Sequence, residues 1–311
     1  MLARPLQSKI AAPPAALQTE NVAFQSASGS LIHAWLARGV SGRGAVLLLH
    51  GVGDDRTSML ARLGYFHRRG LTVLAPDFQA HGESQGKHIT FGALESFDAE
   101  AALRFLRSQA RGERVGVIGV SMGGAAALLG NRPLSADAMV LESVYPTIRD
   151  AVADRLRVWL GPFGVFGSAL APAVIDVVSS DIGVSEDELR PIDHIGAVRA
   201  PLLLAAGTDD RYTTIDEARS LFDHARAPKQ FWAVKGAGHE DLFAFDPAEY
   251  ERHVGGFLLA QLRTPASGNA NESDGSVSRT DCVIPGGSDA EQRGDHRNAA
   301  DSLGADKRAC E

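Results

Sequence analysis

The 311-residue chain has only two cysteines, Cys282 and Cys310, both near its C-terminal end. No thiol is available upstream as a nucleophile or metal ligand, and no disulfide framework can hold the fold together. Metal-ligand spacings are missing too: there is no H-x-x-x-H pair and no Cys cluster, so no metal is expected. No G-x-G-x-x-G follows the first strands, which excludes a Rossmann dinucleotide, and no cofactor is expected. A basic surplus is also absent. The formal net charge is −7, so a nucleic acid bound through a broad basic surface is excluded. The first nine residues lack the apolar core of a signal peptide, which makes a cytoplasmic location the expectation.

Residues 264–311 have no aromatic side chain and few large aliphatics. They hold nine acidic against five basic residues, so four of the seven net negative charges lie there. Such a stretch cannot bury enough surface to offset the entropy of ordering, and it reads as a disordered acidic tail. Residues 1–19 are rich in Ala and Pro and read as a flexible N-terminal arm. One run approaches bilayer length: residues 158–178 carry a single charge, Asp176. Gly161, Pro162, Gly164, Gly167 and Pro172 would break a spanning helix there, so the segment is expected to be a buried or lid-forming insertion rather than a membrane span.

What is present is a strand–helix alternation. Residues 22–25 and 31–36 flank Ser28-Gly29-Ser30 as a hairpin. Residues 45–49 are a continuous apolar run of the kind buried on both faces of a parallel sheet, residues 71–77, 138–142 and 201–207 read as further strands beside the apolar run that begins at Val115, and 231–234 is a last short strand. Helical spacing covers residues 59–69, 97–110 and 250–262. The pattern predicts an α/β fold, a mostly parallel central sheet with helices on both faces.

The organising stretch is Gly119-Val120-Ser121-Met122-Gly123, set between an apolar run and an Ala/Leu-rich helix. It fits G-x-S-x-G, in which a tight strand-to-helix turn lifts the serine hydroxyl above the sheet and flanking glycines allow the fold-back. A serine hydroxyl needs a base within reach and a group to orient that base. His239, in Gly236-Ala237-Gly238-His239 after the last strand, is the base candidate. Gly207-Thr208-Asp209-Asp210 supplies the acid: Asp210 is preferred, with Asp209 a one-residue shift away and Glu142, at the end of the strand after the elbow, a third option.

In that chain order, Ser then acid then His, residues 20–262 resemble the α/β-hydrolase fold family, in the branch of short-capped esterases and serine aminopeptidases. The resemblance implies further roles. His50-Gly51-Val52-Gly53 is similar to the family's H-G-x-G turn, in which the backbone N–H groups of Val52 and Met122 would form an oxyanion hole, with His50 structural. Asp54, Asp55 and Arg56 would brace the following helix. Asp77-Phe78-Gln79-Ala80-His81-Gly82-Glu83-Ser84 resembles a D-x-x-G-H-G-x-S scaffold turn, departing from it at Ala80. The excursion at about residues 145–199 stands where the family inserts a small helical cap, so the hydrolase domain spans residues 20–263. Tyr145, Trp159, Leu160, Phe163, Val165 and Phe166 would roof an acyl or alkyl group.

The reading that follows is a serine hydrolase that cleaves a carboxylic ester or related acyl bond of a small molecule through an acyl-enzyme. A serine peptidase of aminopeptidase or prolyl-oligopeptidase type, with Glu142 and Glu240 as candidates to hold a peptide amino terminus, is the first rival. An acyltransferase and a non-catalytic binding protein on the same fold are the others. The sequence is silent on oligomeric state.

Overall fold

The computed structural model describes residues 3–226 and 228–263. The tail expected at residues 264–311 lies outside them. The chain opens with β1 (Leu6–Gln7), followed by the hairpin β2 (Thr19–Gln25) and β3 (Leu31–Ala37). Its first fully buried strand is β4 (Ala45–Leu49), which leads through a 3-10 turn into α1 (Leu60–Arg68). Next come β5 (Thr72–Pro76), β6 (His81–Gly82), α2 (Ala93–Gln109), β7 (Val115–Val120), α3 (Met122–Leu128) and β8 (Ala138–Glu142). The excursion contains α4 (Ile148–Trp159), a 3-10 stretch (Gly161–Phe166), α5 (Gly167–Ile182) and α6 (Pro191–Ile195). The fold closes with β9 (Leu202–Gly207), α7 (Ile215–His224), β10 (Lys229–Val234), α8 (Leu242–Phe245), α9 (Pro247–Tyr250) and α10 (Gly256–Leu262).

Eight strands form one sheet in the order β10-β9-β8-β7-β4-β5-β3-β2. The strands from β10 to β5 run parallel, and β3 and β2 are added antiparallel. Every residue of β4, β8 and β9 is buried, because helices cover both faces. Leu47 and Leu49 pack toward α2 and α3, while Val46 and Leu48 face α1 and α10. The edge strand β2 alternates between exposed and partly buried positions instead.

Three local expectations are adjusted. The arm expected at residues 1–19 is, over the described residues 3–19, tied to the body: β1 pairs in parallel with β6, Leu6 opposite His81. The Gln7 amide also donates to the Ser84 carbonyl at 2.7 Å, and the Ile89 N–H to the Ala3 carbonyl. A short strand reaching a remote turn leaves no local periodicity to read. Helix α2 starts four residues earlier than its apolar spacing suggests, since the buried Glu95 carboxylate accepts the Gly92 N–H at 2.8 Å and caps that end. The last helical stretch is divided by a π-turn at Glu251–Gly255.

The excursion folds as the expected small helical cap, with α4 and α5 packed on each other through Ala153, Ala171 and Ile175. The stretch Gly161–Ile182 is long and apolar enough to cross a bilayer by length and composition, and here it forms the outer half of this cap.

Candidate active site

Ser121 stands between β7 and α3 with φ 49° and ψ −115°, a left-handed conformation uncommon for a side-chain-bearing residue. The flanking glycines make the turn sterically feasible. A Cβ on Gly119 would meet Gly124 Cα at 2.6 Å, and one on Gly123 would meet the Leu49 carbonyl oxygen at 2.4 Å. The Ser121 N–H donates to the Glu142 carbonyl at 2.8 Å, and its own carbonyl accepts the Gly124 and Ala125 N–H groups. The strain is thus held by backbone bonds on both sides.

His239 Nδ1 donates to Asp210 Oδ2 at 2.8 Å. Oδ1 of the same carboxylate accepts the Tyr212 and Thr213 N–H groups at 2.8 and 2.9 Å. Three donors on a buried carboxylate fix its orientation and hold the imidazole with its proton on Nδ1, which leaves Nε2 as the basic nitrogen. The Tyr212 ring meets the imidazole edge-on, centroids 5.8 Å apart. The two loops brace each other: Asp209 N–H donates to the Ala237 carbonyl, and Gly236 N–H to Thr208 Oγ1.

The two other acid candidates face elsewhere. Asp209 is exposed, and its carboxylate accepts the Thr208 hydroxyl. Glu142 is buried, accepting Arg62 Nη2 at 2.7 Å and the Tyr250 hydroxyl at 2.5 Å. Arg62 reaches Asp241 with Nη1 at 2.7 Å and donates from Nε to Tyr250 at 2.9 Å. Burial alone would lower the Arg62 pKa, but Glu142, Tyr250 and Asp241 more than offset it and hold the guanidinium charged. Burial pushes the Tyr250 phenol up, keeping it a neutral donor. This network lies under the cleft and ties α1, β8 and α9 to the turn that follows His239.

The turn after β4 is equally fixed. His50 is fully buried, and burial, then the nearby His81, pushes its pKa down to about 3. The neutral ring bonds the Gly51 carbonyl through Nδ1 at 2.8 Å and accepts the Phe78 N–H on Nε2 at 3.0 Å. His81 bonds the Gln79 carbonyl and accepts the Gly53 N–H, so it shapes this turn rather than facing the cleft. Arg56 pairs with Asp77 and Glu83 beneath it. Ala80, where the resembled motif has glycine, sits at φ 60° and accepts the Leu6 N–H at 2.7 Å. Among the described residues the N–H groups of Val52 and Met122 have no hydrogen-bond acceptor, and both residues line the pocket at Ser121.

Ser121 is shared by two cavities. One, of about 100 Å³, is almost wholly apolar, walled by Phe91, Tyr145 and the cap residues Ile148, Val152, Ile175 and Ile182. The other, of about 360 Å³, is polar and holds His239, Asp54, Glu240 and Arg62. Arg155 of α4 lines both. Of the expected roof, only Tyr145 is in place. Trp159, at the end of α4, and Phe163 and Phe166, in the 3-10 stretch, are 62%, 67% and 56% exposed and do not line the cleft, with Val165 also exposed. Arg155 and Arg62 had no local signal, although the Ile148, Val152 and Arg155 spacing marks one helix face.

A model of the alpha/beta hydrolase family matches residues 46–253, about two thirds of the chain. The uncharacterized protein YqkD of Bacillus subtilis is 24% identical over 217 residues, 68% of this chain and 70% of YqkD. The uncharacterized protein Rv2307c of Mycobacterium tuberculosis is 29% identical over 228 residues, 71% and 72% of the two chains. Among solved structures, the Pyrococcus furiosus esterase Pf2001 superposes with a TM-score of 0.70 at 22% identity, over 84% of this chain and 99% of the esterase. That likeness concerns the fold.

Proposed function

The chain belongs to the alpha/beta hydrolase family, and from that premise we propose that it is a serine hydrolase cleaving a carboxylic ester through an acyl-enzyme. The observation that carries this reading is the bond from His239 Nδ1 to a saturated Asp210 carboxylate, in a cleft shared with Ser121 on its strained elbow. Ser121 Oγ attacks the ester carbonyl while His239 Nε2 takes its proton. Asp210 stabilises the resulting imidazolium and keeps its own charge. The oxyanion accepts the free Val52 and Met122 N–H groups, donors whose loss costs about 2.7–4 kcal/mol in a measured case. Collapse breaks the ester bond, and His239 returns the proton to the departing alkoxide. Water then repeats the sequence in reverse on the acyl-enzyme.

The apolar cavity suits an acyl chain, which favours an ester over a peptide. Glu142 also offers nothing to a peptide amino terminus, since Arg62 and Tyr250 occupy its carboxylate. The test is labelling by a fluorophosphonate probe. Wild-type protein is expected to label, and Ser121→Ala and His239→Ala are expected to lose the label while remaining folded by circular dichroism. Folded wild-type protein that does not react, with the cap intact or removed, overturns the reading.

A further inference from the structure

Three arginines stand around this site: Arg56 and Arg62 are buried and ion-paired, and Arg155 is partly buried. Arg56 has Asp77 and Glu83, and Arg62 has Glu142 and Asp241. Arg155 differs. Its Nη1 donates to the Ala151 carbonyl at 3.1 Å, and the guanidinium carbon lies 5.6 Å from the Tyr212 ring centroid. Among the described residues no carboxylate comes within ion-pair distance of it. The acidic groups that face it are Asp210 and Asp154, and neither pairs with it; Asp154 Oδ2 has no hydrogen-bond partner. Asp210 is bound to His239 and two N–H groups, and Asp154 to Arg157. The phenols of Tyr145 and Tyr212 are its remaining polar neighbours, and burial lowers its pKa against the opposing pull of these phenols, Asp210 and Asp154.

A cation withdrawn from water is normally paired, because desolvation is costly otherwise. Here the missing anion has room to arrive with a ligand, since Arg155 lines both cavities beside Ser121. The fork of a guanidinium fits a carboxylate in two parallel hydrogen bonds. Arg155 is the one charged residue lining the apolar cavity, whose other walls are uncharged, so a carboxylate paired with it is best placed close to the scissile bond, on the side of the roomier cleft. There it would meet Arg155 on one wall, with Asp54 and Glu240 lining other parts of that cleft.

We propose that Arg155 is a specificity-determining residue that binds a carboxylate on the alcohol half of the substrate, so that the preferred substrates are short apolar acyl esters of hydroxy acids. This rests on the hydrolase reading above.

The test compares 3-carboxyphenyl butyrate with its neutral isostere 3-carbamoylphenyl butyrate. For wild-type protein the ratio of kcat/KM, acid over amide, is expected to be roughly 10- to 100-fold, the worth of a charge-assisted bidentate contact. Arg155→Gln is expected to bring that ratio near one, and Arg155→Lys to restore part of it. A role confined to holding the cap would lower both rates together and leave the ratio unchanged. That result, or a wild-type ratio near one, overturns the proposal. Calorimetric binding of the same two esters to Ser121→Ala, with and without Arg155→Gln, does not depend on turnover. If no ester is hydrolysed, the hydrolase reading fails while binding still judges Arg155: acid-selective binding lost with Arg155→Gln supports its role, and equal binding of both esters refutes it.

Discussion

Arg62 and Arg155 face the same cleft, one from the body and one from the cap, and their surroundings are opposite. Arg62 spends its guanidinium on Glu142, Asp241 and Tyr250, and so holds the floor of the site together. Arg155 spends one bond on its own helix and leans on a tyrosine ring. The contrast extends to the two regions that carry them. Around Ser121, His50 and His239 the body fixes its turns with backbone bonds and buried ion pairs, while its Arg56 Nε, His67 Nδ1 and Ser143 Oγ are buried without a hydrogen-bond partner. The cap keeps an unpaired cation inward, aromatic rings outward, and the buried Asp154 Oδ2 without a hydrogen-bond partner.

The comparison breaks most severely where the body's network is cut. Glu142→Ala leaves Arg62 buried with one carboxylate and a phenol, and is expected to cost about 3–5 kcal/mol of unfolding free energy in urea titration. Removing both charges, Arg62→Met with Glu142→Leu, is expected to recover much of that loss. A Glu142→Ala loss below about 1 kcal/mol would show that the network is not what holds the floor, because ordinary surface ion pairs are worth no more.

A second test concerns how the cap is attached. Glu217 caps α7 by accepting the Thr214 N–H at 2.7 Å and faces Asp154 of the cap helix α4. Burial, then the Asp154 charge, pushes its pKa up to about 8. A carboxyl raised in the folded state favours folding while protonated, and that contribution fades as pH rises from its unfolded value through about 8. Below that point a protonated Glu217 can donate to Asp154; above it two carboxylates repel. Proteolysis or hydrogen exchange in residues 148–182 is therefore expected to speed up between pH 7 and 9, and Glu217→Gln to flatten the change.

The smallest effect belongs to the outer face of the cap. Trp159→Ser, Phe163→Ser and Phe166→Ser remove exposed rings that do not line the cleft. Each is expected to change stability by about 0.5 kcal/mol or less in thermal unfolding and to leave ester turnover in place. Ile175→Ala, on the inner face, is expected to cost about 2–4 kcal/mol and to enlarge the apolar cavity.

Much of this was legible in the residues alone. The continuous apolar run at 45–49 reads as a doubly covered strand, and 138–142 and 201–207 as its neighbours, as the fold has them. The Gly119 and Gly123 pair specifies the elbow by sterics, since a Cβ at either would strike backbone. The choice between Asp210 and Asp209 was not legible, because adjacent residues on a turn point in different directions and only the fold decides which meets His239. The roof was misassigned for a related reason: size and aromaticity drew attention to residues 159–166. The lining comes instead from aliphatics at helical spacing, Ile148 with Val152 and Ile175 with Ile182. Arg62 carried no signal in the sequence, since its partners Glu142, Asp241 and Tyr250 lie far along the chain.

The most direct measurement is the intact mass of the protein during turnover of 4-nitrophenyl butyrate, quenched in acid within the first seconds. The account expects a butyryl adduct that maps to Ser121, is absent in Ser121→Ala, and decays as substrate is consumed. Turnover with no adduct in a burst-phase quench, or an adduct on another residue, would contradict it.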